Sequence, residues 1–134
     1  APLTEGSRML TAEQIELVEG PNFGVLATSM TDGSPQATVL WVDHRDGLVW
    51  VNTATGRTKP RNLGADPRVA LVVIDRDDPY RAIQIRGRAV ELTREGADEH
   101  IDYLARKYTG EGFTYNPNED RLIVKIRPDR ASDL

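Results

Sequence analysis

Residues 56–68 read Gly-Arg-Thr-Lys-Pro-Arg-Asn-Leu-Gly-Ala-Asp-Pro-Arg, which sets Arg57, Lys59 and Arg61 within five residues of one another in a chain of net charge −4. A local reversal of sign of this kind is a candidate pocket for an anion. Pro60 suits the first position of a helix and pushes Lys59, the residue before it, toward an extended conformation. A helix over 60–65 would aim its unpaired backbone N–H groups and the positive end of its dipole at the space the cationic side chains surround. A phosphate group fits that combination. Taken alone the same residues would also suit an exposed turn with solvated charges, and the flanking motifs are what favour the pocket.

Little else in the sequence offers chemistry of its own. His44 sits beside the Asp46-Gly47 turn and His100 within a long helix, neither at metal-ligand spacing from a second His, and both read as surface residues. Asp75, Asp77 and Asp78 precede Pro79 without the glycine and terminal Glu of a calcium loop and read as a solvated acidic loop. Trp41 and Trp50 are expected on adjacent strands, in the core or at a subunit interface. No metal site is expected. There is no cysteine, and no Ser-His-Asp or Cys-His arrangement supplies a nucleophile. A protein whose cofactor carries the chemistry needs no such side chain, since it then supplies position and electrostatics.

Length and composition narrow the setting. A chain of 134 residues buries about two-thirds of its unfolded surface, enough for one core and one domain over 1–134. The lack of cysteine means that no oxidising compartment is needed. The apolar run at 69–74 is too short to span a bilayer and residues 1–8 lack the order of a signal peptide, so a soluble, cytoplasmic protein without membrane contact is expected. The acidic balance argues against a nucleic-acid face, and two Trp, four Tyr and two Phe are not interleaved with the basic residues as a single-strand-binding barrel requires.

The elements that must position the basic turn are mostly strands. Thr11 and Gln14 form a capping box, Leu10 and Ile15 a hydrophobic staple, and Gly20-Pro21 ends the first helix. Strands are predicted over 23–28, 35–42 and 48–53, joined at Asp32-Gly33 and Asp46-Gly47 as an antiparallel meander of hairpins. Residues 69–74 lack polar alternation, which predicts a central strand covered on both faces by a helix or a second subunit. Over 82–92, Ile83 and Ile85 share one face and Val90 and Leu92 the other, with a bulge or bend expected at Gly87. Thr93 is predicted to cap a helix carrying Ala97, Ile101, Leu104, Ala105 and Tyr108 on one side and ending at Gly110. Leu122, Val124 and Ile126 alternate in a sixth strand. The economical arrangement is a small antiparallel barrel with peripheral helices.

The segments Gly24-Val25-Leu26-Ala27-Thr28, Asp32-Gly33-Ser34-Pro35-Gln36, Arg57-Thr58-Lys59-Pro60-Arg61-Asn62-Leu63, Asp66-Pro67-Arg68-Val69 and Arg86-Gly87-Arg88-Ala89, in that order, resemble the pyridoxamine 5′-phosphate oxidase-like split β-barrel superfamily over nearly the whole chain. The resemblance implies a mainly β, six-stranded antiparallel split barrel, a homodimer, and a flavin-type cofactor in a cleft at the subunit interface with its phosphate near the basic turn. The superfamily holds FMN oxidases and short proteins that use the deazaflavin coenzyme F420. In the FMN oxidases the second strand resembles an Arg and a Lys five apart that grip the phosphate, whereas Ala37-Thr38-Val39-Leu40-Trp41-Val42 carries no cation. The sequence also runs only to Leu134, without the segment that in the oxidases helps hold pyridoxal, which is an expectation against vitamin B6 oxidation. Arg61 and Asn62 resemble the deazaflavin branch, so coenzyme F420 is the expected cofactor and FMN the alternative.

By that resemblance Arg57 and Lys59 hold the cofactor phosphate, with Arg61 and Asn62 as second contacts. Asn52 and Thr53 serve the phosphate and ribityl chain, Gln36 and Thr38 touch the ring, and Tyr80 and Arg81 reach across the dimer. The expected function is hydride transfer from reduced F420 to a conjugated, electron-poor small organic substrate. The alternatives are an FMN-binding oxidoreductase, or a non-catalytic carrier of a flavin, F420 or a tetrapyrrole.

Overall fold

The computed structural model describes residues 10–55 and 58–134. Arg57 therefore lies outside the described residues, as does its expected role. Helix α1 spans Ala12–Glu19 and opens with the predicted capping box: Thr11 Oγ1 accepts from the Gln14 N–H at 3.1 Å and Gln14 Oε1 accepts from the Thr11 N–H at 2.9 Å. Leu10 is buried in the core, with Ile15 packed against that core. The strands follow as β1 (Phe23–Ser29), β2 (Pro35–Leu40), β3 (Asp43–Arg45), β4 (Leu48–Ala54), β5 (Arg68–Ile74), β6 (Ala82–Thr93) and β7 (Arg121–Asp133). Helix α2 covers Thr58–Ala65, so Lys59 is helical and not extended as expected and Pro60 is the third residue of the helix, and helix α3 covers Ala97–Thr109.

All seven strands form one antiparallel sheet in the order β2-β1-β5-β6-β7-β4-β3, the split β-barrel expected of the sequence. Two details differ from expectation. The second strand is cut at Trp41 and Val42, so seven strands stand where six were expected. The meander also fails after its first hairpin, because β4 pairs with β3 and with β7 and not with β2. The Asp46-Gly47 reversal is present, with both residues at positive φ, 53° and 76°, but the arm it folds back on is the short β3. The edge strands β2 and β3 are thus consecutive in sequence and meet at the Trp41-Val42 corner. Trp41 and Trp50 consequently do not lie on adjacent strands.

Inward-facing Leu26, Val49, Val51, Leu71, Val73, Ile85, Val124 and Ile126 form the core, and each side chain buried there contributes about 1.5–3 kcal/mol. In β6 the change of face occurs one turn of the pleat later than predicted. Ala89 pairs with Ile126 and Glu91 with Lys125, leaving Val90 as the extra residue. Gly87 marks a second irregularity, where Asp129 is extra in β7. A β-carbon on Gly87 would meet the Arg127 carbonyl oxygen at 2.0 Å, so the close approach of β6 and β7 requires glycine. Thr93 does not cap α3. Its Oγ1 accepts from the Glu95 N–H, and Gly96, at φ 76°, precedes the helix without a side-chain cap.

Helix α3 packs on the outer face of β4 and β7 and clamps the corner. Tyr108 OH accepts from the Val42 N–H at 3.0 Å and donates to the Asn22 carbonyl at 2.8 Å. Lys107 Nζ donates to the Val42 carbonyl at 2.5 Å, and Trp41 stacks on Tyr108 with centroids 5.3 Å apart. Burial pushes Lys107 down from 10.5 to about 8 and pushes Tyr108 up from 10.0 to about 12. Between pH 8 and 10 the folded chain has released the Lys107 proton that the unfolded chain still binds, so stability rises with pH through that window. Above pH 10 the retained Tyr108 proton acts in the opposite sense. Urea unfolding from pH 8 to 10 is expected to show wild type gaining stability relative to Lys107→Met, and a pH-independent difference would count against the buried ammonium. Among the described residues no helix is long and apolar enough to cross a membrane.

Candidate functional site

Where α2, α3 and the first residue of β7 converge on the Trp41 corner, they enclose a cleft of about 350 Å³. Lys59, on the first turn of α2, and Arg121, at the start of β7, supply two cations to its lining against the single carboxylate of Glu119. Asn52 and Thr53 come from the end of β4, and Trp41, Leu104 and Phe113 give the cleft an apolar wall. Helix α2 owes its position to Leu63, which is buried in the core, and to Asn62. The Asn62 amide is 1% exposed and donates to Thr28 Oγ1 at 3.1 Å and to Gln36 Oε1 at 3.4 Å.

The cleft's polar groups are held from behind. Arg121 Nε donates to Asn52 Oδ1 at 2.9 Å, Arg121 Nη1 stands 3.8 Å from Glu119, and the guanidinium lies over the Phe113 ring. Asn52 Nδ2 donates to the Ala97 carbonyl at 3.0 Å and meets His100 Nδ1 at 3.2 Å. Because the amide nitrogen is a donor, Nδ1 accepts and the imidazole proton sits on Nε2, facing Asp43 Oδ2 at 3.1 Å. Arg45 Nε donates to the same carboxylate oxygen at 2.8 Å. Burial works against the charge of Asp43, yet the His100 hydrogen bond, the Arg45 charge and the His44 backbone N–H hold its carboxyl below the usual carboxylate range. One continuous chain therefore runs from Arg45 through Asp43, His100 and Asn52 to Arg121 in the cleft.

This placement corrects the surface expectation for His100, which is 2% exposed. The spacing that buries Ala97, Ile101 and Leu104 puts position 100 on the same helical face. His44 is half-buried on β3, with Nδ1 3.7 Å from Glu19. Trp50 packs edge-on against His100, with Arg45 and Lys125 over its ring, on the side of β4 that faces α3. Asp77 and Asp78 are exposed, whereas Asp75 pairs with Arg81 at 2.9 Å.

Of the residues singled out in the sequence, Lys59, Asn52 and Thr53 come together in the cleft. Arg61 is exposed on α2 and Asn62 is turned into the protein. Gln36 and Thr38 lie half-buried on β2, and the Thr38 hydroxyl is buried without a hydrogen-bond partner among the described residues. Tyr80 and Arg81 line a separate hollow between α1 and β6, so within one chain they do not reach the cleft. Arg121 escaped notice because the final strand was started one residue too late, at Leu122. It joins the cleft only through the pairing of β4 with β7, which no local spacing announces.

Residues 10–134 match the pyridoxamine 5′-phosphate oxidase family. Among solved structures, an F420 reductase is 32% identical and superposes with a TM-score of 0.81, covering 92% of this chain and 98% of its own. A conserved hypothetical protein from Mycobacterium tuberculosis is 28% identical, with a TM-score of 0.74 over 95% of this chain and 85% of its own. General Stress Protein 26 from Bacillus anthracis shares the fold at 20% identity, with a TM-score of 0.69 over 91% and 92% of the two chains.

Proposed function

This chain belongs to the pyridoxamine 5′-phosphate oxidase family, an oxidoreductase family whose fold binds flavin-type cofactors, and from that premise we propose that it is a reductase dependent on coenzyme F420. The observation that carries the proposal is the convergence of Lys59, Arg121, Asn52 and Thr53 on one cleft with an aromatic and aliphatic wall. Cations and neutral donors suit a phosphorylated tail, and the wall of Trp41, Leu104 and Phe113 suits a planar ring. The 32% identity to an F420 reductase and the absence of any cation from 37–42 favour deazaflavin over FMN. Reduced F420, when bound, supplies a hydride for a conjugated, electron-poor small molecule.

The chain's own groups bind and orient. Lys59, with Arg57 beside it in sequence, holds the phosphate through charge-assisted hydrogen bonds. Thr53 adds an uncharged contact, and Arg121 adds a second cation to the lining, held by Asn52, whose amide is itself engaged with Ala97, His100 and Arg121. Gln36 and Thr38 are assigned to the ring side through the unpartnered Thr38 hydroxyl, and Arg61 is a second contact at the rim. Asn62 acts by fixing α2, since its amide is already spent on Thr28 and Gln36. None of these groups needs to transfer a proton, and the cleft works by proximity and orientation.

A homodimer completes this reading. The pairing register places Val39, Val25 and Val72 in one row on the outer face of β2, β1 and β5, with Val39 70% exposed and Phe23, near the end of the same face, 50% exposed. An apolar surface across three strands asks for a cover, and a second copy would also bring Tyr80 and Arg81 toward the partner's cleft. Val72→Asp is expected to convert a dimer to monomers in sedimentation velocity, and a monomeric wild type would contradict the interface. For the cofactor, fluorescence titration with F420 and with FMN separately is expected to show tight F420 binding. Tight FMN binding without any response to F420 would overturn the assignment, and F420 binding without substrate-dependent oxidation of its reduced form would make the protein a carrier.

A further inference from the structure

On the outer face of β5, β6 and β7, away from the cleft, Arg68, Arg86, Arg88, Arg127 and Arg130 line a groove of about 570 Å³ whose lining holds one carboxylate, Asp129. The strand register sets these cations directly against each other: Arg68 opposite Arg88, Arg88 opposite Arg127, and Arg86 opposite Arg130. Like charges in facing cross-strand positions are destabilising. Arg68 is relieved by Asp66 at 2.7 Å and Arg127 by Asp129 at 3.0 Å. The side chains of Arg86, Arg88 and Arg130 are exposed and make no ion pair or hydrogen bond among the described residues. A protein of net charge −4 thus concentrates five guanidinium groups on one small surface, with only Asp66, which the charges of both Arg68 and Arg88 reach, and Asp129 set against them among the described residues.

The backbone beneath them is built to closer tolerance than a solvated face needs. Gly87 lies between Arg86 and Arg88, and only glycine fits there, 2.0 Å from a carbonyl oxygen of β7 for any added β-carbon. Neighbouring strands are about 4.8 Å apart and alternate residues of a strand about 6.7 Å apart, so the five side chains spring from a grid of roughly 10 by 7 Å. A lone phosphate would meet one corner of such a grid. A chain of phosphates presents charge at several successive points, each matched by a planar guanidinium fork.

We propose that this groove binds a phosphate chain, the chemistry shared by inorganic oligophosphates and the polyphosphate arm of nucleotides. The site does not rest on the cofactor reading, and the two can fail separately.

Isothermal titration of the intact protein at low salt with inorganic tripolyphosphate, with ATP and with orthophosphate tests it. Tripolyphosphate is expected to bind saturably, about tenfold or more tighter than orthophosphate, and to shift the amide resonances of Gly87, Arg88 and Asp129. ATP binding equal to tripolyphosphate means that the chain of phosphates alone is read; tighter ATP binding identifies a nucleotide as the source. Arg86→Gln with Arg88→Gln is expected to weaken tripolyphosphate binding about tenfold or more and, by removing facing like charges, to leave the unfolding midpoint equal or higher. Should that pair fail to fold, Arg130→Gln alone is read in the same way. No saturable binding, undiminished binding in the variants, shifts confined to the neighbourhood of Lys59, or a groove buried by a second copy would each overturn the proposal.

Discussion

Lys59→Ala is expected to lower affinity for F420 by about tenfold to a hundredfold, the weight of one charge-assisted hydrogen bond in a partly enclosed site. Lys59 stands half-buried on the first turn of α2 and belongs to the cleft lining, not to the core. Its removal is therefore expected to change folding stability by less than about 1 kcal/mol. Fluorescence titration reads the first quantity and urea unfolding the second. A folded variant with normal affinity would remove Lys59 from the site, and an unfolded one would show that α2 depends on it.

The second large effect lies behind the cleft. Asp43 and His100 are 3% and 2% exposed and 3.1 Å apart, so His100→Ala strands a buried carboxylate with Arg45 as its remaining charged partner and frees one face of the Asn52 amide. Removing a hydrogen-bond donor from a buried carboxylate costs about 1.5–3 kcal/mol, before the cavity the buried ring leaves, a large part of the stability of a domain this size. His100 does not line the cleft, yet its loss also lets Asn52 turn and with it Arg121, so F420 affinity should fall several-fold in whatever fraction stays folded. A double-mutant cycle with Asp43→Ala should return a coupling of about 1–3 kcal/mol. Additive losses would show that the two side chains act independently, and unchanged affinity in folded His100→Ala protein would show that the chain from Asp43 to Arg121 does not position the cleft.

Much of the local structure was legible because its causes are local. The Thr11-Gln14 capping box, the positive-φ reversals at Asp46 and Gly47 and the left-handed Gly110 that closes α3 depend on a few neighbouring residues each. What the sequence hid is decided by partners far along the chain. That β4 joins β7 and not β2 follows from closing the sheet at the Trp41 corner, which Tyr108 and Lys107 fasten from 65 or more residues away. No spacing rule near Val42 announces it. His100 was misplaced for a different reason: its helical phase was plain, but a polar side chain on an apolar face is explained only once Asp43 and Asn52 are seen waiting for it. Asn62 shows the converse, since its place in the basic turn suggested a ligand contact and the fold turns its amide inward to tie α2 to β1 and β2. Of the cleft proposed as the site, the lining residues Lys59, Asn52 and Thr53 are the ones their motif positions single out. Arg121 could not, because it joins them only through the β4–β7 pairing.

A crystal structure of the protein grown with F420 tests the central claim most directly. The account predicts the cofactor phosphate in hydrogen-bond contact with Lys59 and near Arg121, with the ring against the Trp41 side of the same cleft. Cofactor density elsewhere, above all in the arginine groove of β5, β6 and β7, with the Lys59 cleft filled only by water, would contradict it.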